Sequence, residues 1–428
     1  MTASQARTPS EGSFRAMIAL IRSRLDFRRL MIGNMISQLG EWLSYIAVSL
    51  LTVSSGEGGV ALATAYLSHT LPNALVAPLA GRVADRFDRR KVMIYAYLAA
   101  SLVTGLMLIA AMRGDIWTLQ ALTFLRTSLS SFGMTARQAS IPSLVSQREL
   151  YTANALNSLI WSTLFTLGVA LGGALTATLG AQTAIGLDAL TYLASILAIW
   201  GLPSLLPPQA EEVLEEQVGS HPLEGGAQLT SRSGLWACWR FARTKPALAS
   251  ALLAKCPLGV VNSAGWMTLT LMSTHTFGDT TGVTLGLFHA SRAIGTGAGP
   301  LLLSALWPKS SVASTLWAIP VTIALLYSER LWLSMLCLLC WGMLLGYTWV
   351  RSSAHVQALS PPEVIGRLSA FELSCATLSQ AGSILLVGAI YDLSWGLKSG
   401  VYCTTSVALI LGLWLYRLEQ KATDTPDS

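Results

Sequence analysis

Eight stretches of about 20 residues in this chain contain no Asp, Glu, Lys or Arg. Each is long enough for an α-helix to cross the hydrocarbon core of a bilayer. Only 12% of the 428 residues are charged, whereas a soluble domain spends about a quarter of its residues on charge. These features exclude a soluble enzyme and a disordered chain and predict an all-α, polytopic membrane protein. The stretches are 58–81, 92–112, 189–210, 256–278, 310–328, 331–350, 373–391 and 399–416.

The remaining spans are less uniform. The uncharged run 150–187 is too long for one span, and Gly180-Ala181-Gln182 within it predicts a turn between two helices. Three further spans each carry one interior ionisable residue. They are 27–53 with Glu41, 117–139 with Arg126, and 282–307 with Arg292. Because the helix that follows the turn at 180–182 continues into the stretch 189–210, we expect twelve transmembrane helices in total.

The positive charges predict the orientation of these helices. If the N-terminus is cytoplasmic and the spans alternate, 22 Lys and Arg fall inside and three fall outside, namely Arg113, Arg330 and Lys398. This asymmetry follows the positive-inside rule. We therefore expect a multi-pass protein of the bacterial inner membrane with both termini cytoplasmic. The net charge of +6 reflects topology, so no nucleic-acid partner is expected.

An acidic segment rich in Pro and Gly separates the first six spans from the last six, which predicts a flexible cytoplasmic linker. The sequence 235–241 after it is typical of a short interfacial helix. The predicted division is a cytoplasmic N-terminal segment (1–26), a first six-helix bundle (27–203), the linker with its helix (204–245), a second six-helix bundle (246–416) and a cytoplasmic tail (417–428).

The two halves share a weak internal repeat. Arg137, Ser146 and Glu149 recur at an offset of 214 as Arg351, Ser360 and Glu363, in equivalent loops. In both copies Ser-x-x-Glu has the spacing of a capping box that opens the next helix. The repeat indicates that the halves have the same architecture.

The loop between spans two and three, residues 81–91, carries a known signature. It reads Gly-Arg-Val-Ala-Asp-Arg-Phe-Asp-Arg-Arg-Lys and resembles the loop motif of the major facilitator superfamily. Shorter segments, such as Ser37-Gln38-Leu39-Gly40-Glu41 and Ile141-Pro142-Ser143-Leu144-Val145, are similar to bacterial exporters of the enterobactin-exporter and macrolide-efflux type. The resemblance implies two six-helix bundles around a central cavity, with secondary active transport by alternating access. It further suggests efflux by proton antiport.

The same resemblance implies that loop 81–91 is a gate. Asp85 takes the place of a carboxylate that caps helix ends and pairs with Arg across the halves. The basic residues of the loop would bind facing carboxylates or anionic lipid; alternatively, they are only the positive charges that orient an inner-membrane protein. The expected gating residues are Gly81, Asp85, Arg86, Arg89 and Arg90.

Glu41 and Arg126 are the candidate proton-coupling residues. Glu41 lies 13 residues beyond Arg28, or roughly 20 Å into the membrane, and Arg126 lies roughly 15 Å from the opposite side. An ionisable residue at such depth is costly unless it is paired, protonated or facing a wet cavity. We expect a proton-linked pair, in which protonation of Glu41 frees Arg126 for an anionic group. A static ion pair and no contact at all are the alternatives.

Polar and aromatic residues on interior helix faces are the candidate substrate contacts. Asn34, Gln38, Glu41 and Tyr45 follow the spacing of one face of span one, whereas Asp188 is expected to be a structural hydrogen-bonding residue. Tryptophan also serves as an interface anchor or packing residue in membrane proteins. The candidates are Asn34, Gln38, Tyr45, Asn157, Trp161, Asn262, Trp266, Arg292, Tyr347 and Glu372.

The sequence lacks the motifs of other chemistry. It has no Walker-type loop, no close His and Cys cluster for a metal, and no loop with a nucleophile and base. We expect no enzyme activity, no metal and no cofactor. The leading hypothesis is a monomeric, proton-coupled exporter of a small organic molecule, a siderophore or drug-like amphipath, whose partners are substrate, protons and membrane lipids. A lysophospholipid or other lipid flippase and a non-transporting membrane scaffold are the alternatives.

Overall fold

The computed structural model describes residues 14–146, 148–206, 235–243, 245–279, 282–303, 311–360 and 365–424, and the regular elements within them are helices. They are α1 Phe14–Ser23, α2 Leu25–Ser54, α3 Gly58–Ala84, α4 Arg89–Arg113, α5 Ile116–Leu144, α6 Leu150–Leu179, α7 Ala181–Ile199, α8 Leu235–Ala242, α9 Pro246–Leu253, α10 Lys255–Leu271, α11 Val283–Leu303, α12 Ser311–Leu326, α13 Leu331–Leu359, α14 Ile365–Ile390 and α15 Gly396–Asp424.

Each predicted span corresponds to one of these helices or, for span seven, to α9 and α10 with a π-helical end at Met272–Thr276. Within the described residues, seven segments are long and apolar enough to cross a membrane, and Val312–Leu326 is a shorter apolar helix. The helices α3, α5 and α11 are not among these seven segments, because their interior polar residues lower their mean hydropathy. The all-α, multi-span architecture predicted from the sequence is confirmed.

Helix ends follow local sequence signals. Gly180 separates α6 from α7 with φ +85°, as the predicted turn requires. Asp115 caps α5 by accepting the Thr118 N–H at 3.1 Å. The short helix expected before span seven forms as α8. Most of the predicted linker, residues 207–234, and Glu363 of the second capping box lie outside the described residues.

By its contacts the chain divides into two compact units. Unit 1 comprises the described parts of Met1–Ala47 and Leu75–Glu211, and unit 2 those of Val48–Ala74 and Glu212–Ser428. The boundary therefore falls inside α2 and α3, and the residues Val48–Ala74, at the connected ends of these helices, group with the second unit. Each unit has its own packing.

The core of unit 1 brings the amphipathic helix α1 onto the transmembrane helices. Met17 and Leu20 of α1 are buried in one apolar cluster with side chains of α2, α4, α6 and α7. A short helix of this kind is stable because its apolar stripe is covered. The largest fully buried members of the cluster are Phe27, Leu30, Met31, Met93, Tyr192 and Ile141.

The centre of unit 2 is the span Pro246–Thr276. In its most apolar stretch 89% of the residues are buried, whereas in the other apolar segments this share is 33–56%. Beside it, α11 and α13 approach each other through glycines. A Cβ on Gly342 would lie 2.0 Å from the Arg292 carbonyl oxygen, and one on Gly295 would lie 2.1 Å from the Leu339 carbonyl oxygen. Small residues permit this backbone contact between membrane helices.

The N-terminal end of α3 is held within unit 2 by a carboxylate. Asp392 accepts the N–H groups of Gly59 and Val60 at 2.5 and 2.9 Å, so it satisfies donors that a helix start leaves open. A Cβ on Gly59 would lie 2.7 Å from the Gly388 carbonyl oxygen. The contact therefore requires glycine at Gly59.

The contact between α11 and α13 makes a testable prediction. Gly342→Ala places a methyl group against the Arg292 backbone and should cost about 1 to 3 kcal/mol of stability, the usual range for overpacking. Thermal unfolding of the purified protein in detergent, followed by tryptophan fluorescence, measures this as a lower Tm. Gly382→Ala is the control, because a Cβ there meets nothing within 4 Å and alanine favours the helix by about 1 kcal/mol. Equal Tm values for the two variants would contradict the packing argument.

Candidate functional site

Four ionisable or polar side chains form a connected set inside unit 1. Arg126 Nη1 donates to Asp188 Oδ2 at 3.2 Å and to the Tyr192 hydroxyl at 3.3 Å. The Tyr192 hydroxyl donates to Glu41 Oε1 at 2.8 Å. Arg126 is 1% exposed and Asp188 is 0% exposed. We call Glu41, Arg126, Asp188 and Tyr192 the Glu41 network; it joins α2, α5 and α7.

The close approach of α2 and α7 makes this network possible. Ser44 donates its hydroxyl to Asp188 Oδ2 at 2.6 Å. A Cβ on Gly40 would lie 2.7 Å from Asp188 Oδ1. Glycine at this position therefore lets α7 bring its carboxylate against α2.

A second guanidinium acts on Glu41 from α5. Arg137 is 3% exposed, interacts electrostatically with Glu41 and forms a hydrogen bond with Tyr97. It also donates to Asn157 Oδ1 of α6 at 2.7 Å. Glu41 thus interacts electrostatically with two guanidiniums, those of Arg126 and Arg137. Together with Arg137, the Glu41 network contains two carboxylates and two guanidiniums.

The structure brings Glu41 and Arg126 into one network, but through residues that were not predicted as site residues. The ion pair of Arg126 within 4 Å is with Asp188, and Tyr192 connects Arg126 to Glu41. One signal was available in the sequence. Asp188 is the only charged residue between Glu149 and Glu211, and Tyr192 follows it by four positions on the same helix face. The proton-coupling role of Glu41 and Arg126 stays a prediction.

The other predicted residues of α2 lie along the same helix face. Asn34 and Tyr45 are buried, and Gln38 is half-buried. Asn34 Nδ2 and Gln38 Oε1 are buried atoms that have no hydrogen-bond partner among the described residues. Buried polar atoms in this state are uncommon in proteins.

The two predicted residues of α6 have different surroundings. Asn157 is held by Arg137, as described above. Trp161 is 48% exposed and stacks on Phe165 with ring centroids 5.6 Å apart. Phe165 meets Trp42 at 4.8 Å, so α2 and α6 share an aromatic surface.

Three predicted residues meet in unit 2. Arg292 Nη1 donates to Asn262 Oδ1 at 3.0 Å, and the guanidinium carbon lies 4.2 Å from the centre of the Trp266 ring. Trp341 of α13 lies 5.7 Å from the same carbon, and His289 Nδ1 lies 3.5 Å from Arg292 Nη2. We call Asn262, Trp266, His289, Arg292 and Trp341 the Arg292 cluster.

Glu372 lies in a separate ion pair. Its Oε1 is 3.0 Å from Lys255 Nζ and accepts the Ser352 hydroxyl at 2.6 Å. Lys255 also donates to Ser353 Oγ at 2.7 Å. The pair joins α10, α13 and α14, and the role of Glu372 in a substrate cavity stays a prediction. Tyr347, the remaining predicted residue of unit 2, is buried in α13.

In loop 81–91 the carboxylate that holds the backbone is Asp88. It accepts the Ser204 hydroxyl at 2.8 Å and the Leu205 and Arg90 N–H groups at 3.0 Å each. Asp85 is exposed. The loop is therefore tied through Asp88 to residues 204–205, which follow α7.

The basic residues of the loop also differ in their surroundings. Arg86 is exposed, whereas Arg89 is buried and donates to the carbonyl oxygens of Ala84 at 3.2 Å and Ala139 at 2.8 Å. Arg90 donates to the Trp200 carbonyl oxygen. A Cβ on Gly81 would meet nothing within 4 Å. The gating role of these residues and of Asp85 stays a prediction.

The surroundings of Asp88 lower its pKa. Partial burial raises the pKa, but the Leu205 N–H, the Ser204 hydroxyl, the Arg90 N–H and the charge of Lys91 favour the ionised form more strongly, so the net shift is downward. Ionised Asp88 is therefore part of the folded loop.

No set of three or more His, Cys, Asp and Glu side chains among the described residues could hold a metal ion. The arrangement offers ion-pair and hydrogen-bond chemistry inside membrane helices. Such buried ionisable groups are typical of proton and substrate pathways.

A family model described as "Transmembrane secretion effector" matches residues 18–427. The chain belongs to this family of the major facilitator superfamily. The family consists of transporters and not of enzymes, as the sequence predicted.

The relatives of this chain include named efflux proteins. The chain is 30% identical over 181 residues to the multidrug efflux pump Tap of Mycobacterium bovis, covering 40% of this chain and 43% of the relative. It is 26% identical over 218 residues to the macrolide efflux protein A of Streptococcus pyogenes, covering 50% and 53%. The chain spans about half the length of the curated relatives it matches.

A solved structure of a bacterial homologue of the human lysosomal transporter Spinster, inward-facing and unoccupied, matches with a TM-score of 0.69 and 14% identity. The match covers 96% of this chain and 99% of that one. At this identity the likeness shows the fold. It confirms the major facilitator fold predicted from the sequence.

The buried Arg126–Asp188 ion pair leads to a testable prediction about stability. Removing one partner of a buried ion pair typically costs about 3 to 5 kcal/mol, because the other charge stays buried without compensation. Asp188→Asn and Arg126→Gln should each lower the Tm strongly, and the double variant should recover part of the loss. The four Tm values form a double-mutant cycle. Asp115→Asn, at an exposed helix cap, is the control, and additive losses would contradict the pairing.

The lowered pKa of Asp88 predicts how the stability of the protein depends on pH. Because this pKa is below the ordinary value of about 4, Asp88 contributes stability above that value, and the contribution is lost as pH falls through the folded pKa. Asp88→Ala should therefore lower the Tm at neutral pH, because it removes a helix cap that contributes about 1 to 2 kcal/mol of stability. The difference in Tm between the variant and wild type should become smaller near pH 3. Asp85→Ala, at an exposed carboxylate, is the control. A Tm difference that does not change with pH would contradict the lowered pKa of Asp88.

Proposed function

We propose that this protein is a secondary active transporter that exports a small organic molecule in exchange for protons. The Glu41 network carries the proposal, because it places two carboxylates and a guanidinium inside membrane helices of unit 1. In this proposal the protein lies in the bacterial inner membrane, and both of its termini are cytoplasmic. The efflux relatives support the direction of transport.

The charge balance of the network supports proton coupling. When Glu41 and Asp188 are ionised, their two negative charges offset those of Arg126 and Arg137. A proton on Glu41 leaves one positive charge in excess, and an uncompensated charge is costly at low dielectric constant. The two protonation states therefore favour different arrangements of α2, α5 and α7. A conformational equilibrium that a proton biases in this way is what coupling requires.

Tyr192 has a specific part in this proposal. Its hydroxyl accepts from Arg126 and donates to Glu41, so protonation of Glu41 at this oxygen would remove the acceptor. The change at Glu41 would then reach the Arg126–Asp188 pair through one side chain. In this role Tyr192 is a positioning residue.

The substrate surfaces fit an amphipathic molecule. The aromatic surface of Trp161 and Phe165 in unit 1 and the Arg292 cluster in unit 2 combine ring faces with polar groups. A siderophore or drug-like amphipath has this mixed character. Protons and membrane lipids are the other partners, the protein acts as a monomer, and loop 81–91 gates the cycle through Asp85 and Arg86.

Proton flux across reconstituted liposomes tests the proposal. The purified full chain is reconstituted with a trapped pH-sensitive dye, a pH gradient is imposed, and a macrolide antibiotic or a catecholate siderophore is added. Wild type should show substrate-dependent proton flux. Glu41→Gln should abolish this flux but retain exchange of labelled for unlabelled substrate without a gradient, since exchange needs no net proton movement.

Glu329→Gln is the matched control, because it removes an exposed carboxylate and should leave the flux unchanged. Tyr192→Phe should reduce the number of protons moved per substrate. If Glu41→Gln keeps gradient-driven flux, the coupling role of Glu41 is wrong. If no compound produces flux in wild type, proton antiport is wrong and a non-transporting scaffold becomes the better hypothesis.

A further inference from the structure

An open groove of about 620 Å³ lies on the surface of unit 1, where loop 81–91 meets α4 and α5. This volume is in the range of small-molecule sites, about 300 to 1,000 Å³. Nine of the twelve lining residues are apolar or aromatic, and three are charged. The three charged residues belong to loop 81–91, whereas six of the nine others lie in α4 and α5. The groove therefore combines an apolar surface with charges at one end.

An exposed apolar stripe on α4 locates this groove relative to the membrane. The stripe begins at Tyr95, which is 68% exposed, and ends at Met112, which is 72% exposed. Its members recur every three or four residues, so they share one helix face. Tyr95 and Met112 are 17 positions apart, a rise of about 26 Å, and the hydrocarbon core of a bilayer is about 30 Å thick. The stripe is therefore the lipid-facing side of α4. The members between its two ends are Leu98, Leu102, Leu106 and Ile109.

The charged end of the groove lies where the lipid headgroups begin. Lys91 precedes Tyr95 by four positions, which is about 6 Å along the helix axis and on the same face. Tyrosine favours the boundary between acyl chains and headgroups, because its ring is apolar and its hydroxyl is polar. Tyr95 lies at that boundary by its place at the end of the stripe. Lys91 is consequently at the level of the headgroups.

The charges of the groove favour a negatively charged headgroup. Arg86 and Lys91 line it and are exposed, and among the described residues neither forms an ion pair within 4 Å. Asp88, the carboxylate of the lining, already accepts three hydrogen bonds from the protein. Residues 81–91 together contain five Lys and Arg and two Asp. A phosphate group is well bound by a guanidinium and an ammonium group.

Apolar side chains give the same groove a surface for acyl chains. Phe87 and Leu206 line it and are 58% and 70% exposed. Leu129 and Phe132 of α5 continue this lining beside α4. Apolar surface that is exposed to water is unfavourable, so an acyl chain that covers these side chains would stabilise the groove.

We propose that this groove is a binding site for an anionic glycerophospholipid of the surrounding membrane. The lipid phosphate binds Arg86 and Lys91, and one acyl chain lies over Leu129 and Phe132 and continues along the stripe of α4. Membrane lipids in general are among the expected partners, and the groove names the class of lipid and the residues that bind it. The proposal rests on the membrane-spanning character of the chain and not on proton antiport.

Two lipids with identical acyl chains test the proposal. They are 1-palmitoyl-2-oleoylphosphatidylglycerol, which is anionic, and the corresponding phosphatidylcholine, which is zwitterionic. Native mass spectrometry of the purified full chain in detergent, with both lipids at equal concentration, measures the ratio of the bound lipids. Wild type should bind phosphatidylglycerol at least about fivefold more tightly, which is the effect of about one cation near an anionic lipid. The double variant Arg86→Gln/Lys91→Gln should lose this preference, while its affinity for phosphatidylcholine changes little.

The double variant Arg113→Gln/Arg330→Gln is the matched control. It removes two exposed cations that do not line the groove, so its net charge equals that of the test variant, and it should keep the full preference. Thermal unfolding verifies that each variant is folded. If the double test variant is unstable, Lys91→Gln alone provides the comparison and should lose part of the preference.

A third variant tests the groove itself. Ala99 lines the groove, and Ala99→Phe would fill part of it while both cations remain. This variant should lose most of its binding of phosphatidylglycerol. An unchanged affinity would assign the preference to surface charge alone and overturn the groove as a site.

Other results would also overturn the proposal. They are equal affinities of wild type for the two lipids and a preference retained in Arg86→Gln/Lys91→Gln. Equally tight binding of glycerophosphoglycerol, the headgroup without acyl chains, would show a site for a free phosphate ester instead. A preference that appears only in Glu211→Gln/Glu212→Gln would identify the acidic segment after Leu206 as the occupant.

The lipid measurements are independent of the proposed transport activity. A preference for phosphatidylglycerol that depends on Arg86 and Lys91, in a protein without substrate-dependent proton flux, would leave the lipid site standing and overturn antiport. Proton flux that depends on Glu41, in a protein that binds the two lipids equally, would overturn the lipid site alone.

Discussion

The cost of burying charge in a membrane governs the functional parts of this protein. A cation inside a transmembrane helix needs a carboxylate, a set of polar groups or water nearby. Arg126 meets this need with Asp188, and Lys255 meets it with Glu372. Arg292 donates to the Asn262 amide and lies over the Trp266 ring. Each of these three cations is thus held by groups on other helices of its own unit.

Close helix contact is the condition for this compensation. Side chains of two helices reach each other in hydrogen-bonding geometry only if the backbones approach closely, and glycine permits this approach. Gly40 lets Asp188 lie against α2, and Gly265 lets Trp341 lie against α10. Gly40 and Gly265 therefore position side chains of the Glu41 network and of the Arg292 cluster.

Loop 81–91 shows how a family signature divides between structure and mechanism. Asp88 and Arg89 hold the loop through hydrogen bonds to backbone groups, whereas Asp85 and Arg86 are exposed. Exposed charges are the ones that can change partner during a transport cycle. The two exposed residues are therefore the stronger candidates for a gate, and the buried ones for its frame.

The sequence by itself determined the number, order and apolar character of the membrane helices, because the length and hydropathy of a span depend on local composition. It also determined that Glu41, Arg126 and Arg292 are special, since a lone ionisable residue in an apolar span is visible without a structure. Only the tertiary structure decided their partners. The contacts of Arg126 with Asp188 and Tyr192 join residues 62 and 66 positions apart, and Trp341 reaches the Arg292 cluster from another helix. Such contacts depend on which helix faces meet, and one sequence read locally does not specify that.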